Sequence, residues 1–484
     1  MRVFLGNAPW AKPGFYGVRA GSRWPHYEEE QLEYMPFPFF LAYATAVLER
    51  AGHDALLIDG CAEKTSRESF VARVVDFRPE IVVLEASTIS IDTDLAVARE
   101  LRKRLPGATL AFAGLHAFMY EPAWLAEQRE LDVVLVGEYE LTLLELTQRL
   151  AAGASLKGCA GLLWRDGATI VDEGRRPLEE NLDRFPWPAR HFLPMREYHD
   201  EPGSIPRPSV QMWASRGCPF GCVFCAWPQI MYDSRKYRMR SVVDTVDEME
   251  WLVRQGGFRS VYFDDDTFNV HKKRTIEFAR EIKRRNLNAP WAIMARIDRM
   301  DRETLEALKD AGLYSLKYGI ETANPELIAQ ADKSLDLDKA REIVELTHEL
   351  DIKMHLTFMF GLPGETRATA QRTIDLALWA DPESLQFTIA TPFPGSKYHR
   401  LLKEQGRLLS DDFDKYDGFR SAVIRTDHLS PQDLEEIVGE ANRKWQEHRW
   451  RREHPDNRTN MQKAVDLAKQ PRRIPDSIKR ALGK

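Results

Sequence analysis

The chain has 484 residues, 43% of them hydrophobic and 29% charged, and a formal net charge of −6. That length calls for two or three domains, and the composition is that of a globular protein. The mild negative charge gives no general case for a nucleic-acid partner. No apolar run approaches the ~20 residues that cross a bilayer, and five cysteines, three of them clustered, make no disulfide framework.

Taken in chain order, the first ~150 residues alternate short apolar strands with amphipathic helices. Met1–Gly6 reads as a buried strand and not as a signal peptide, because no basic segment leads into an apolar one. Strands are expected at Val3–Ala8, Ala55–Asp59, Ile81–Ala86, Leu110–Ala113 and Val133–Val136. Helices are expected at Phe37–Arg50, Phe70–Phe77, Leu95–Leu105 and Glu140–Ala151. This is the pattern of a doubly wound parallel sheet covered on both faces, which binds ligands outside the carboxyl ends of its strands. The long polar segment Tyr16–His26 reads as a loop that folds over such a site or lies ordered on the surface. Leu162–Val171 reads as a hairpin with an Asp166-Gly167 turn, and Arg184–Pro194 as a proline-rich linker.

A second alternation runs from Ser209 to Pro394, with strands at Val210–Ala214, Ser260–Phe263, Trp291–Ala295, Ser315–Tyr318, Met354–Met359 and Leu385–Ile389. Helices at Val242–Arg254, Lys272–Arg285, Arg302–Ala311, Leu337–Leu350 and Ala368–Ala380 fall between them. Six such units predict a partial parallel barrel whose working face is built by the loops at the carboxyl ends of its strands. The expected units are an α/β domain over 1–155, a hairpin and linker over 156–205, a barrel over 206–394 and a helical extension over 395–484. The tail from Arg449 to Lys484 is basic, which fits a solvated or helical tail better than an RNA contact.

The run Cys218-Pro-Phe-Gly-Cys222-Val-Phe-Cys225 directly follows the first barrel strand, so it lies on the working face. Structural zinc usually takes four ligands, and a four-iron cluster is usually held by four cysteines. Three thiolates on a cubane leave one iron open to a small molecule; a zinc loop completed by a distant histidine is the alternative. Later turns at the same face are Phe263-Asp264-Asp265-Asp266-Thr267, Arg296 after the third strand, Gly319-Ile320-Glu321 after the fourth, Gly361-Leu362-Pro363-Gly364-Glu365 after the fifth, and Thr391–Ser396 after the sixth. The three aspartates would repel one another, so a nearby cation is expected.

Together, from Ser209 to Arg407, these motifs resemble the radical S-adenosylmethionine (SAM) superfamily. The resemblance implies that Cys218, Cys222 and Cys225 hold a [4Fe-4S] cluster. It implies SAM contacts for Asp265 or Asp266 (ammonium), Arg296 (carboxylate), Glu321 (ribose) and Gly361 (close approach of adenine). The N-terminal unit resembles the cobalamin-binding domain of one large radical SAM subgroup. The residues that carry this are Ser87-Thr88 after the third strand, Gly114 after the fourth, and Gly137-Glu138 after the fifth. An Asp-x-His-x-x-Gly after the first strand is absent. His116 is a tempting cobalt ligand, but a lone loop histidine is more often a hydrogen-bonding residue. Cys61 and Cys159 read as plain thiols, leaving no ligands for a second cluster.

The resemblance implies reductive SAM cleavage, hydrogen abstraction from an unactivated carbon and methyl transfer from cobalamin to that carbon. The alternatives are radical dehydration or rearrangement without methyl transfer, and a sensor without turnover. The implied partners are a small-molecule substrate and a flavodoxin- or ferredoxin-type electron donor. Free thiols and an oxygen-sensitive cluster fit a reducing cytoplasm.

Overall fold

The computed structural model describes residues 1–19, 25–32 and 34–454. The expected loop at Tyr16–His26 and the basic tail therefore fall partly outside the described residues. The N-terminal unit is built on a seven-stranded sheet, in the order Thr169–Asp172, Leu162–Asp166, Val133–Leu135, Thr109–Gly114, Ile81–Ala86, Arg2–Asn7 and Asp54–Asp59. The five strands from the alternating region are parallel. They are buried almost end to end, as strands covered on both faces must be. The Asp166-Gly167 hairpin extends this sheet, because Leu162–Asp166 pairs antiparallel with Val133–Leu135. The loop expected at Tyr16–His26 is flanked by, and at its ends belongs to, a three-stranded antiparallel sheet of Ala11–Lys12, Phe15–Val18 and His26–Glu29. Its short, glycine-interrupted strands carry too little apolar periodicity to be read from sequence.

The second unit is a half-barrel of six parallel strands in sequence order: Ser209–Met212, Ser260–Phe263, Trp291–Ala295, Leu313–Glu321, Lys353–Phe360 and Ser384–Ile389. Val261, Ile293, Leu316, Leu356 and Phe387 bury their side chains in the layer under the helices. The helices start where side chains can take up free N–H groups: Ser241, Asp301, Asp336 and Thr366 all cap. The linker turns under the foot of the half-barrel. Gly203 is left-handed (φ 63°) there, and a Cβ on it would come within 2.7 Å of the Ser315 side chain. Beyond the last strand the described chain carries two α-helices. Helix Lys397–Glu404 leads to helix Pro431–Glu453, which buries Leu434, Ile437, Val438, Ala441 and Trp445 in the half-barrel's core.

Two details of the fold bear directly on the working face. At the fifth strand's end, Gly361 is left-handed (φ 98°), and its N–H donates to Glu365. A Cβ on Gly361 would meet Ile424 and Leu434 of the C-terminal extension at 3.2 and 3.4 Å. The turn is thus shaped by packing on its outer side. At the junction of the two units, Arg238 grips Glu138 through two bonds of 2.8 and 2.6 Å, and Arg216 lies 2.7 Å from Glu140 and 3.5 Å from Glu138. The side chains of all four are almost fully buried. The Arg216 guanidinium also stacks against Phe40, Tyr43, Phe185 and Trp213, with centroid distances of 4.8–5.1 Å.

Two predictions follow from these contacts. Arg216→Ala strands the buried Glu140 carboxylate and should cost about 3–5 kcal/mol of unfolding free energy; an unchanged urea midpoint would show the pair to be dispensable. Burial pushes the Glu365 carboxyl up to about 8. The folded state therefore keeps a proton that the unfolded chain releases near 4.5. Stability from this group is present at low pH and falls as pH rises between those values. Glu365→Gln should flatten the melting temperature across that window, and a profile with the same slope as the wild type would contradict the assignment.

Candidate active site

The first barrel strand runs on through Trp213-Ala214 into Ser215–Arg216, which pairs antiparallel with Arg238–Met239. The chain between these short strands is a closed excursion above the half-barrel, and it carries the three cysteines. Gln229 pins the excursion from within by donating to the carbonyls of Cys222, Val223 and Cys225 at 3.2, 3.0 and 2.7 Å. Val223 is held from both sides: its N–H donates to Ala331 and its carbonyl accepts from the Tyr398 N–H.

The aspartate run anchors the base of this loop. Asp265 accepts from the Ala214 N–H at 2.8 Å and from the Ser215 hydroxyl. Asp266 Oδ2 accepts from the Gly217 N–H at 2.8 Å and the Tyr232 hydroxyl at 3.0 Å. Asp264 takes the Tyr262 hydroxyl at 2.9 Å. Separate donors thus relieve much of the mutual repulsion for which a cation was expected; Arg274 adds its charge near Asp265. Burial dominates, pushing Asp265 up to about 7 and Asp266 to about 6.

The three thiols are free and half-buried. Among the described residues, no three His, Cys, Asp or Glu side chains converge tightly enough to hold a single metal ion. Burial raises all three thiols, while Lys333 and Arg296 oppose that rise at Cys222. Arg296 stacks on Phe220 of the cysteine loop at 3.8 Å, pairs with Asp298 at 2.9 Å, and donates to the carbonyls of Lys333 and Ser334. Lys333 lies 2.9 Å from Glu321. Two buried cations beside a thiolate-rich loop suit an anionic cluster, so the donor set fits a [4Fe-4S] group. Glu321 has a left-handed backbone (φ 72°) where the strand's register shifts. A non-glycine residue held there is strained, a condition that recurs at ligand-binding sites.

Across the junction lie the carboxyl ends of the N-terminal sheet. Gly114 is left-handed (φ 116°), and a Cβ there would strike the Ala86 carbonyl at 2.2 Å. Ser87 and Thr88 are buried; the Ser87 and Ser90 hydroxyls are 2.6 Å apart, and Ser90 donates to Asp94. Arg19 reaches over the same edge, donating to the Glu85 carbonyl and to Asp94, both at 2.7 Å. Among the described residues, Trp10 Nε1, packed on Gly17, and Arg19 Nε are buried donors with no hydrogen-bond partner. A spare guanidinium donor fits a ligand rimmed with carbonyl groups, as a corrin is. Gly137 and Glu138 are placed otherwise. A Cβ on Gly137 would meet the Met231 carbonyl and Arg175, and Glu138 is committed to Arg238. His116 lies 3.2 Å from the Thr88 hydroxyl, packs on Phe413, and is held by burial down to about 3.

Lys333, Gln229, Tyr232, Arg238 and Arg19 were not singled out from sequence. Tyr232, Arg238 and Arg19 acquire their roles from partners distant in the chain, whereas Gln229 and Lys333 act on neighbours within twelve residues that the folded loop turns toward them.

A model of the radical SAM superfamily matches residues 214–377, and one of the B12 binding domain matches residues 31–147. An uncharacterized methyltransferase of Pyrococcus horikoshii is 30% identical over 404 residues, covering 84% of this chain and 86% of that protein. The anaerobic magnesium-protoporphyrin IX monomethyl ester cyclase of Cereibacter sphaeroides is 29% identical over 409 residues, covering 82% of this chain and 65% of the cyclase. Among solved structures, the radical SAM methyltransferase TsrM of Kitasatospora setae, with cobalamin and a [4Fe-4S] cluster bound, shares the fold. Its TM-score is 0.64 at 19% identity, covering 84% of this chain and 78% of TsrM. The radical SAM match brings a [4Fe-4S] cluster and SAM, and the B12-binding match brings cobalamin. The chain is an enzyme of the cobalamin-dependent radical SAM methyltransferase family.

Proposed function

We propose that this enzyme removes a hydrogen atom from an unactivated carbon of a small molecule and places a methyl group there. The observation that carries this reading is the facing of two sites across a rigid junction. The three-cysteine loop stands on one side, the B12-binding strand ends stand on the other, and Arg216 and Arg238 bolt them together through Glu138 and Glu140. When bound, the cofactors supply reductive cleavage of SAM to a 5'-deoxyadenosyl radical and a transferable methyl group. The protein supplies position and shielding.

In this reading Cys218, Cys222 and Cys225 hold the cluster, and Gln229 fixes their backbone. Asp265 holds the base of the loop. Asp266 does the same through Oδ2 and keeps Oδ1 clear of protein hydrogen bonds for the SAM ammonium. Glu321 receives the ribose hydroxyls, with Lys333 orienting it from 2.9 Å. Arg296 faces the SAM carboxylate while bracing Phe220, and the Gly361 turn lines the adenine side. Ser87, Thr88 and Gly114 border the corrin; Gly137 and Glu138 serve the same site from behind by fixing the loop. Residues 1–155 thus carry cobalamin, 206–394 carry the cluster and SAM, 156–205 join them, and the stretch from 395 closes over the half-barrel. An external flavodoxin- or ferredoxin-type protein delivers the electron in the cytoplasm. No described helix is long and apolar enough to cross a membrane.

The cyclase relative favours a second reading, in which the same radical start leads to a product without an added methyl group. Anaerobic reconstitution with iron, sulfide and hydroxocobalamin, followed by desalting, separates the two. Stoichiometric corrin in the absorption spectrum, together with methylated product, supports methyl transfer; SAM cleavage without corrin supports the second reading. Cys222→Ala should lose cluster iron and deoxyadenosine formation while keeping its corrin. Deoxyadenosine release by that variant at the wild-type rate would contradict the cluster assignment.

A further inference from the structure

The concave face of the half-barrel says what kind of substrate belongs there. Side chains alternate along a strand. Leu316, Leu356, Phe358 and Phe387 go to the helix-covered side, so Lys317, His355, Thr357 and Gln386 face inward. The register makes them one patch: Lys317 lies beside His355, Gly319 beside Thr357, and Thr357 beside Gln386. A Cβ on Gly319 would lie 3.4 Å from the Thr357 hydroxyl and 2.5 Å from Glu321, so the patch borders the SAM-side turn. The foot is polar too, with Lys317 buried 3.2 Å from Asp200.

His355, Thr357 and Gln386 are only half-buried although they sit in mid-strand, so this wall faces open space. His355 already shares a hydrogen bond with Ser384 at 2.8 Å. Apart from the ladder bonds of their backbones, the Thr357 hydroxyl and the Gln386 amide make no side-chain hydrogen bond with any described residue. A hydroxyl and an amide on an open wall bond water there, and covering them with hydrocarbon strips that water without replacing it. A site built to bond oxygen and nitrogen rejects ligands that lack them.

Resting on the methyl-transfer reading, we infer that the substrate is a water-soluble molecule whose hydroxyl, carbonyl or amide groups bond Thr357 and Gln386. This excludes an isoprenoid or other hydrocarbon lipid. The test uses the full-length holoenzyme with SAM carrying a deuterated methyl group. Source cells are extracted into aqueous methanol and into chloroform, and each extract is supplied in turn. Deuterium should enter a product of the aqueous extract. In Gln386→Leu and Thr357→Val, that product should fall by about tenfold or more, while cluster iron, bound corrin and melting temperature stay at wild-type values. Label in a chloroform-phase product overturns the inference, as does an aqueous product formed equally well by both variants. Label in neither phase, with deoxyadenosine still released, overturns the methyl-transfer reading and this inference with it.

Discussion

Three thiolates on one short loop can share a cluster only if the backbone between them is held in a single shape. That hold comes from outside the cysteine motif. Asp265 and Asp266, at the end of the second barrel strand, take the N–H groups of Ala214 and Gly217. Gln229 closes the other end by collecting three carbonyls. Neighbouring barrel strands are locked in register by their ladder, so the aspartates fix the loop to the most rigid part of the molecule. The remaining contacts of the site build on this placement, including Arg296 on Phe220 and Tyr398 on Val223.

Charge is arranged in the same spirit. Desolvation makes the three thiols, Asp265 and Asp266 resist ionisation, yet the site needs anions. Lys333 and Arg296 stand where they favour the anionic form of Cys222, and Glu321 is paired with Lys333 and not left to face the cluster unscreened. At the junction, Arg216 combines an ion pair with four aromatic neighbours. Guanidinium suits this better than ammonium, being planar and weakly hydrated. The N-terminal sheet and the cysteine loop are thereby joined by groups that cannot be pulled apart without exposing buried charge.

The alternating pattern of strand and helix was readable because parallel sheets bury whole apolar strands. Ile81–Ala86, Ser260–Phe263 and Trp291–Ala295 fall where the pattern puts them. The cysteine spacing was readable because metal ligation imposes a local rule. The meander at Ala11–Glu29 was not, since its strands are short and half polar. Nor was the engagement of Glu138 with Arg238, a hundred residues on. Sequence placed Glu138 in the right loop, but only the fold shows that its carboxylate is already taken. Lys333 illustrates the same limit, because it reaches Glu321 through a helix and a turn that no spacing rule describes.

The account stands or falls on one iron having no protein ligand. Electron paramagnetic resonance of the reduced cluster, with and without SAM labelled with oxygen-17 in its carboxylate, reads this directly. A shift of the spectrum on adding SAM, with oxygen-17 hyperfine coupling to the cluster, is the expected result. A spectrum indifferent to SAM, with no such coupling, would show a closed cluster and contradict the account.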